Sequence, residues 1–299
     1  MKVLFVVNPI SGGVNKEPFL ADAKDTCYKY GIDYKIFKTT GQDDDIELKK
    51  ILEDYRPDKV ASVGGDGTTL FTASILKDYD YPMGIIPLGS ANGMATELSV
   101  HSNPMEALNE ILISDFTSGL DLVLVNDEHL SIHIGDVGIN ARIVESYGKD
   151  KNRGMATYAK YFARELQTTK PFSYKVETPN ETKEEHAVMV GICNARKYGT
   201  GVPLSVVGGP MDGKFEIVVV EKIDAVELMR AGLSKFDESF HSSQNSYTIS
   251  TESAKVTFDK PNLLQLDGEV IGKFSELEIK IIKGAVKFIT HRDNPYVVI

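Results

Sequence analysis

Residues 64–68, GGDGT, place a carboxylate, Asp66, inside a glycine-rich turn. Glycines in that pattern expose backbone amides that can cradle an anion, and a carboxylate among them would repel it. Two like unit charges about 4 Å apart cost roughly 4 kcal/mol at an effective dielectric near 20. A magnesium ion reverses the sign, because Mg2+ is held by one or two carboxylates together with substrate phosphates. The turn therefore makes most sense as a metal–nucleotide site with Asp66 facing the ion. Capping of a helix by Asp66 or Thr68 is the simpler alternative, but capping alone does not require glycines at 64, 65 and 67.

Two further turns share the pattern: NPISGG at 8–13 and PLGSANG at 87–93. The elements around them are readable. VLFVV near the start is a short continuous apolar run that suits a strand buried on both faces. A helix around FLADAKDTCYKYG stops at Gly31, DYKIFKT is a second strand, and DDDIELKKILEDY is a helix whose leading aspartates favour its N-terminus. DKVASVGG, TLFTASILKD and MGIIPLG continue as strand, helix and strand, and ANGMATEL opens another helix. Repeated strand–helix units predict a doubly wound parallel α/β domain, in which ligands bind beyond the carboxyl ends of the strands. All three glycine turns fall at such ends, so together they would ring one crevice with backbone amides.

After about residue 120 the texture changes. LDLVLVN, HLSIHIGDVG, HAVMVGICNA, FEIVVVEK, SYTISTESAKVTFD, NLLQLDGEVIG and LEIKIIKGAVKFIT are strand-like and closely spaced, which predicts antiparallel pairing in a β-sandwich-like domain. Two helices interrupt them, TYAKYFARELQ and AVELMRAGL; Tyr158, Tyr161 and Phe162 of the first read as a core-packing face. The expected domains are 1–120, an α/β nucleotide-binding domain to which 290–299 could return, and 121–289, a β-rich acceptor domain, with a soft boundary near Ser118–Gly119.

The chain has 299 residues, 42% apolar and 25% charged, a globular composition. A net charge of −10 argues against a nucleic-acid partner. Two cysteines without CxxC spacing indicate neither a disulfide framework nor a zinc site, and are expected as reduced thiols in a cytoplasmic protein. MKVLFVV is too short for a signal peptide, and no apolar run approaches the roughly 18 residues of a membrane span; membrane contact, if any, would be peripheral. The six histidines lack HExxH spacing, and GSANG lacks the spacing of a GxSxG nucleophile elbow, which argues against a metalloprotease and a serine hydrolase.

NPISGG, TTGQDD (39–44), GGDGT and PLGSANGMATEL together resemble the signatures of the diacylglycerol kinase catalytic-domain family, which includes bacterial lipid kinases and sphingosine kinases and is related to the NAD kinases. The resemblance continues through DVGINA, RGMATYAKYFARELQ, MDGKFEIVVVEK and LDGE, nearly the whole chain. It implies an ATP- and Mg2+-dependent kinase acting on a lipid hydroxyl, most readily diacylglycerol. ATP contacts would come from Asn8, Ser11, Gly12, Thr39, Gly64, Gly65, Asp66, Gly67, Thr68, Thr69, Leu70, Ser90 and Asn92. Asp44 and Asp66 would organise the catalytic magnesium. Asp212, with the carbonyls of Gly209 and Lys214, would hold a structural one. The resemblance implies as partners a nucleotide and a lipid or small hydroxyl acceptor, and leaves room for a homodimer.

The resemblance also points to Glu269, in LQLDGEVIG, as the general base. The residues alone leave two readings of that segment. If Asp267 and Glu269 share a strand, both carboxylates lie on one face, and proximity with burial would raise at least one pKa. If Asp267-Gly268 is a two-residue hairpin turn, they do not. Two positions depart from the family pattern: Asn92-Gly93 replaces the usual Asn-Asp, and TLFTAS after GGDGT is closer to the NAD kinases. They keep two alternatives open, a kinase acting on a soluble acceptor as NAD kinases do, and a module that binds nucleotide without turnover.

Overall fold

A computed structural model of the chain describes residues 1–150, 155–198, 203–222, 246–291 and 294–297. They fall into two compact units, Met1–Asp121 with Lys283–Ile299, and Leu122–Ile282. The first unit alternates strand and helix: β1 (Lys2–Val7), α1 (Glu17–Lys29), β2 (Asp33–Lys38), α2 (Asp44–Tyr55), β3 (Lys59–Gly64), α3 (Asp66–Leu76), β4 (Met83–Pro87), α4 (Gly93–Glu97) and α5 (Pro104–Ile113). The strands are parallel in the order β2-β1-β3-β4.

This sheet is buried on both faces, as the unbroken apolar runs require. Val3, Phe5 and Val7 of β1 pack with Phe19, Leu20 and Ala23 of α1 and with Ala107, Leu108 and Ile111 of α5. The alternate residues Leu4 and Val6 are also buried, towards the opposite face, where α3 lies against β1, β3 and β4. Helix α5 is absent from the sequence-based expectation although its signal is plain: Pro104 sits in the first turn, and the Asn103 side chain caps the amides of Met105 (2.8 Å) and Glu106 (3.2 Å).

The remaining elements are β5 (Thr117–Val125), β6 (His129–Ser131), β7 (Ile134–Gly138), α6 (Ile139–Lys149), α7 (Met155–Thr168), β8 (Phe172–Glu177), β9 (Thr182–Ala187), β10 (Met189–Cys193), β11 (Phe215–Val220), β12 (Ser246–Thr251), β13 (Ser253–Leu266) and β14 (Glu269–Ile289). In the second unit the pairing is antiparallel, running β12-β11-β10-β7-β13-β14 with β8 and β9 branching from β13. Phe172, Tyr174, Phe215, Ile217, Val256 and Leu264 lie in its apolar core. The architecture is the mixed one expected: parallel α/β first, then an antiparallel, β-sandwich-like domain.

Three readings change. HLSIHIGDVG is not one strand but β6 and β7, because the Asp267 carboxylate draws the amides of Ile132, His133 and Ile134 out of the ladder. Helix α6 follows β7 directly and was not expected. The one-strand reading of Asp267 and Glu269 is overturned: Asp267 (φ 51°) and Gly268 (φ 87°) form a two-residue hairpin turn, with Leu266 paired to Glu269 across it. The expected helix AVELMRAGL and the Tyr158 side chain lie outside the described residues; Tyr161 and Phe162 are half-buried, and the Tyr161 hydroxyl donates to Asp150 at 2.8 Å.

Asn103→Ala should destabilise the protein by about 1 kcal/mol, since it strips the cap from α5. That corresponds to a melting temperature lower by roughly 2–4 °C for a fold of this size, measurable by differential scanning calorimetry.

Candidate active site

The strand order β2-β1-β3-β4 reverses direction between β1 and β3. In an open parallel sheet that reversal leaves a crevice at the carboxyl ends of the two strands. The turn after β1 (8–13) and the turn after β3 (64–68) flank it, and the turn after β4 (87–93) follows from the neighbouring strand. The register continues past the strand ends: Asn8 N donates to the Val63 carbonyl at 3.2 Å and Leu88 N to the Gly64 carbonyl at 2.8 Å.

The three turns touch backbone to backbone. A Cβ at Gly12 would lie 2.7 Å from the Gly89 carbonyl carbon and 2.9 Å from Ser90 N. A Cβ at Gly89 would overlap the Gly65 Cα and sit 2.8 Å from Gly65 N. Gly64 is equally confined, by the Thr68 side chain and, at 3.1 Å, by Ser11 Oγ. Glycine is required at 12 and 89 because no side chain fits between main chains at that separation, and at 64 because the Thr68 side chain occupies the space. Gly67 differs, because a Cβ there meets nothing within 4 Å.

Asp66 sits at the junction. Its Oδ2 accepts from Gly93 N and its Oδ1 from Met94 N, both at 2.9 Å. It therefore caps α4, from 27 residues upstream, and not α3, which has no side-chain cap at Gly65. The first-turn amides of α3 are left for another acceptor. Asn92, in the left-handed region at φ 53°, closes the third turn by accepting from Gly89 N at 2.8 Å and donating to its carbonyl at 3.2 Å. Buried in the first turn of α3, Thr68 Oγ1 has no hydrogen-bond partner.

Other expected residues are distributed around this junction. Asn8 accepts from Ile10 N at 3.1 Å, and Ser11 Oγ donates to the Asn8 carbonyl at 3.2 Å. Thr39 follows β2, its amide on the Val7 carbonyl at 2.9 Å. Ser90 is exposed, Leu70 is half-buried, and Thr69 Oγ1 donates to the Gly65 carbonyl at 3.2 Å. The Asp44 carboxylate bonds within its own turn, Oδ1 to Thr40 N (2.8 Å) and Thr40 Oγ1 (3.0 Å), Oδ2 to Gly41 N (2.8 Å). Burial would raise its pKa, but these bonds outweigh that and hold it below the usual carboxylate range. Asp44 thus has no direct bond to Asp66. Sequence reasoning missed Lys16, only 2% exposed, whose ammonium donates to the carbonyls of Ser11 and Val14 and braces the first turn from within. Burial lowers its pKa.

In the second unit, Gly209, Asp212 and Lys214 form one turn: Asp212 N donates to the Gly209 carbonyl at 3.4 Å and Lys214 N to Asp212 Oδ1 at 2.9 Å. Asp212 is exposed. Glu269 is exposed too, at the start of β14. Asp267 turns the other way, accepting from Ser131 Oγ (2.7 Å), Ile132 N (2.8 Å), His133 N (3.0 Å) and Ile134 N (3.1 Å). Burial raises its pKa, offset in part by those bonds and by His133. Proximity to Glu269 is not the cause.

Residues 2–125 match the diacylglycerol kinase catalytic domain and residues 134–290 the YegS C-terminal NAD kinase beta sandwich-like domain. A protein of Yersinia enterocolitica named "Probable lipid kinase YegS-like" is 30% identical over 234 residues, 75% of this chain and 76% of its own length. An uncharacterized protein of Synechocystis sp. is 26% identical over 243 residues, 79% of this chain; the chain spans only 55% of that relative's length. The crystal structure of a diacylglycerol kinase from Bacillus anthracis str. Sterne superposes with a TM-score of 0.73 at 19% identity, covering 98% of each chain, a likeness of fold.

The two kinds of glycine in these turns should separate by stability. Gly89→Ala forces two main chains apart and should cost about 1–3 kcal/mol or more. Gly67→Ala, in open space on α3, should be neutral or stabilising by up to about 1 kcal/mol. Urea denaturation of both variants measures the difference; equal stability would mean that the turns do not touch.

Proposed function

The chain belongs to the diacylglycerol kinase catalytic-domain family, with a YegS-type C-terminal domain, and on that premise we propose that it transfers the γ-phosphoryl group of ATP, with Mg2+, to the hydroxyl of diacylglycerol or a closely related lipid. The kinase character and the lipid-type acceptor follow from the family; the nucleotide, the metal and the acceptor are our reading.

One observation carries it: glycine turns in mutual contact at the reversal of a parallel sheet, with Asp66 tied to the amides of Gly93, which ends the third turn, and Met94, in the helix that follows. The free first turn of α3 offers amides to a phosphate, and helix N-termini favour anions. Asp66 opposes that. The two amides at the start of α4, a helix of only five residues, offset only part of a full negative charge. Each Asp66 oxygen accepts one backbone bond and keeps capacity for more, a hard oxygen donor of the kind magnesium prefers. The residues fit the ion, and the Asp212 carboxylate with the carbonyls of Gly209 and Lys214 is an all-oxygen set that fits a second. When bound, magnesium neutralises charge on the transferring phosphoryl group.

The protein's own residues do the rest. Lys16 and Asn92 hold the first and third turns rigid, so that the amides need not reorganise around the phosphates. Thr68 Oγ1 supplies an uncommitted hydroxyl beside them. Glu269, exposed directly after the hairpin turn, takes the proton from the acceptor hydroxyl.

Incubation of the protein with labelled ATP, Mg2+ and diacylglycerol in mixed micelles should yield labelled phosphatidate, and a chelator should stop it. Asp66→Asn should lower kcat by roughly 10²–10³-fold, the usual scale for loss of one preorganised electrostatic group. Labelling of NAD in place of the lipid would replace the acceptor, and turnover undiminished by chelator or by Asp66→Asn would overturn the arrangement.

A further inference from the structure

Asp136 lies on β7, within the second unit, and is fully buried at 0% exposure. Its two oxygens do different work. Oδ1 accepts from Ala141 N at 2.8 Å and so holds the start of α6. Oδ2 accepts from the side-chain amides of Asn140 and Gln265 and from the Tyr198 hydroxyl at 3.1 Å. Capping α6 accounts for Ala141 and Asn140. It does not account for Gln265, which belongs to β13 and pairs with Asp136 in the ladder.

Gln265 is itself only 1% exposed, and its carbonyl oxygen accepts from Gly268 N at 2.8 Å. A primary amide can be inverted, exchanging donor and acceptor ends. Here the direction is set by chemistry. An ionised carboxylate can only accept, so the NH2 end must face Asp136 and the oxygen must face Gly268. Four donors converge on the Asp136 carboxylate, as on an ionised acceptor, and Gly268 N–H can only donate; burial pushes the Asp136 pKa up to about 6 against the pull of those bonds. Gly268 N–H is one of the inward donors of the hairpin turn that immediately precedes Glu269. The opposite side of that turn is fixed by Asp267 on residues 131–134.

We propose that Asp136 is a positioning residue for Glu269: by orienting Gln265 onto the Gly268 amide it locks the turn from which the Glu269 carboxylate is presented. The proposal rests on the reading of Glu269 as the base. The link runs carboxylate, amide, main chain, base, with each bond inside one unit. Removing it leaves Glu269 intact but free to swing with a loosened turn, and a misplacement of about 1 Å can cost about 10²-fold in rate.

The test uses Asp136→Asn, which removes the obligate acceptor, and Gln265→Leu, which cuts the link while leaving Asp136 its other partners. In each, kcat for phosphotransfer should fall at least about tenfold with KM for ATP within about twofold, the signature of an effect on the chemical step. Hydrogen exchange at the Gly268 amide should speed up by about tenfold or more, since its acceptor is lost. In a Glu269→Gln background neither substitution should lower kcat further. Unchanged Gly268 exchange in the Gln265→Leu protein, which serves if Asp136→Asn fails to fold, would overturn the link. Unchanged kcat, or a loss that adds to that of Glu269→Gln, would overturn the positioning role. Should Glu269→Gln retain full activity, the base assignment falls and the positioning role with it; the exchange measurement still reports separately whether the turn is held through Gln265.

Discussion

The approach of Gly89 to Gly65 and of Gly12 to Gly89 is the constraint on which the rest of the first unit turns. Three loops, each ending a different strand, meet where main chain touches main chain, and no residue larger than glycine can occupy the contact points. Close packing of backbone brings their amides to one place without any ligand. The cross-links then follow: Asp66 ties the second turn to the third, Asn92 closes the third on itself, and Lys16 braces the first from below. Hydrogen bonds to a charged partner are worth about 1.5–3 kcal/mol each, so the two made by half-buried Asp66 contribute about 3–6 kcal/mol at most, a sizeable part of a fold's margin of about 5–15 kcal/mol. The result is a rigid rim, prepaid in folding, as electrostatic catalysis requires.

This explains the carboxylate among the glycines more fully than either reading available from sequence. As a cap, Asp66 serves a helix that begins 27 residues later, and thereby leaves its own helix, α3, open at the N-terminus. It also retains acceptor capacity beyond the two amides, which the proposed role as an ion ligand requires. The two roles are compatible because a carboxylate offers about four lone-pair directions. Capping fixes the side chain's orientation and leaves its remaining lone pairs uncommitted.

Much of the fold was legible because its signals are local. Short apolar runs, Asp-rich helix starts and glycine turns recur at strand–helix spacing, and the parallel order follows. What the sequence did not show depends on partners far along the chain. The split between β6 and β7 is imposed by Asp267, some 130 residues away, and a periodicity argument over HLSIHIGDVG has no access to it. Lys16 reads as an ordinary surface lysine until its ammonium is seen on two carbonyls. The Asp267-Gly268 dipeptide carried two meanings, and tertiary contacts chose between them: four donors from residues 131–134 hold the Asp267 carboxylate in a turn. Helices α5 and α6 differ in kind. The first carries a local cap, Asn103 before Pro104, that is written in the sequence; the second is started by Asp136, whose hydrogen-bonding depends on β13.

The second unit engages its inward acids in hydrogen bonds to main chain and side chains. Asp267 gathers three amides, Asp136 gathers an amide and three side-chain donors, and Glu216, its pKa pushed up to about 7 by burial, accepts from the Ser250 hydroxyl. A carboxylate so engaged cannot take a proton from a substrate without dismantling the structure it supports. Glu269 is different: it is exposed, and its carboxylate has no hydrogen bond to another described residue. It stands directly after a turn held from one side by Asp267 and from the other by Gln265. A base needs both properties, freedom at the carboxylate and rigidity behind it. In the proposed assignment the two are divided between Glu269 and the turn behind it, so that one hairpin supplies both.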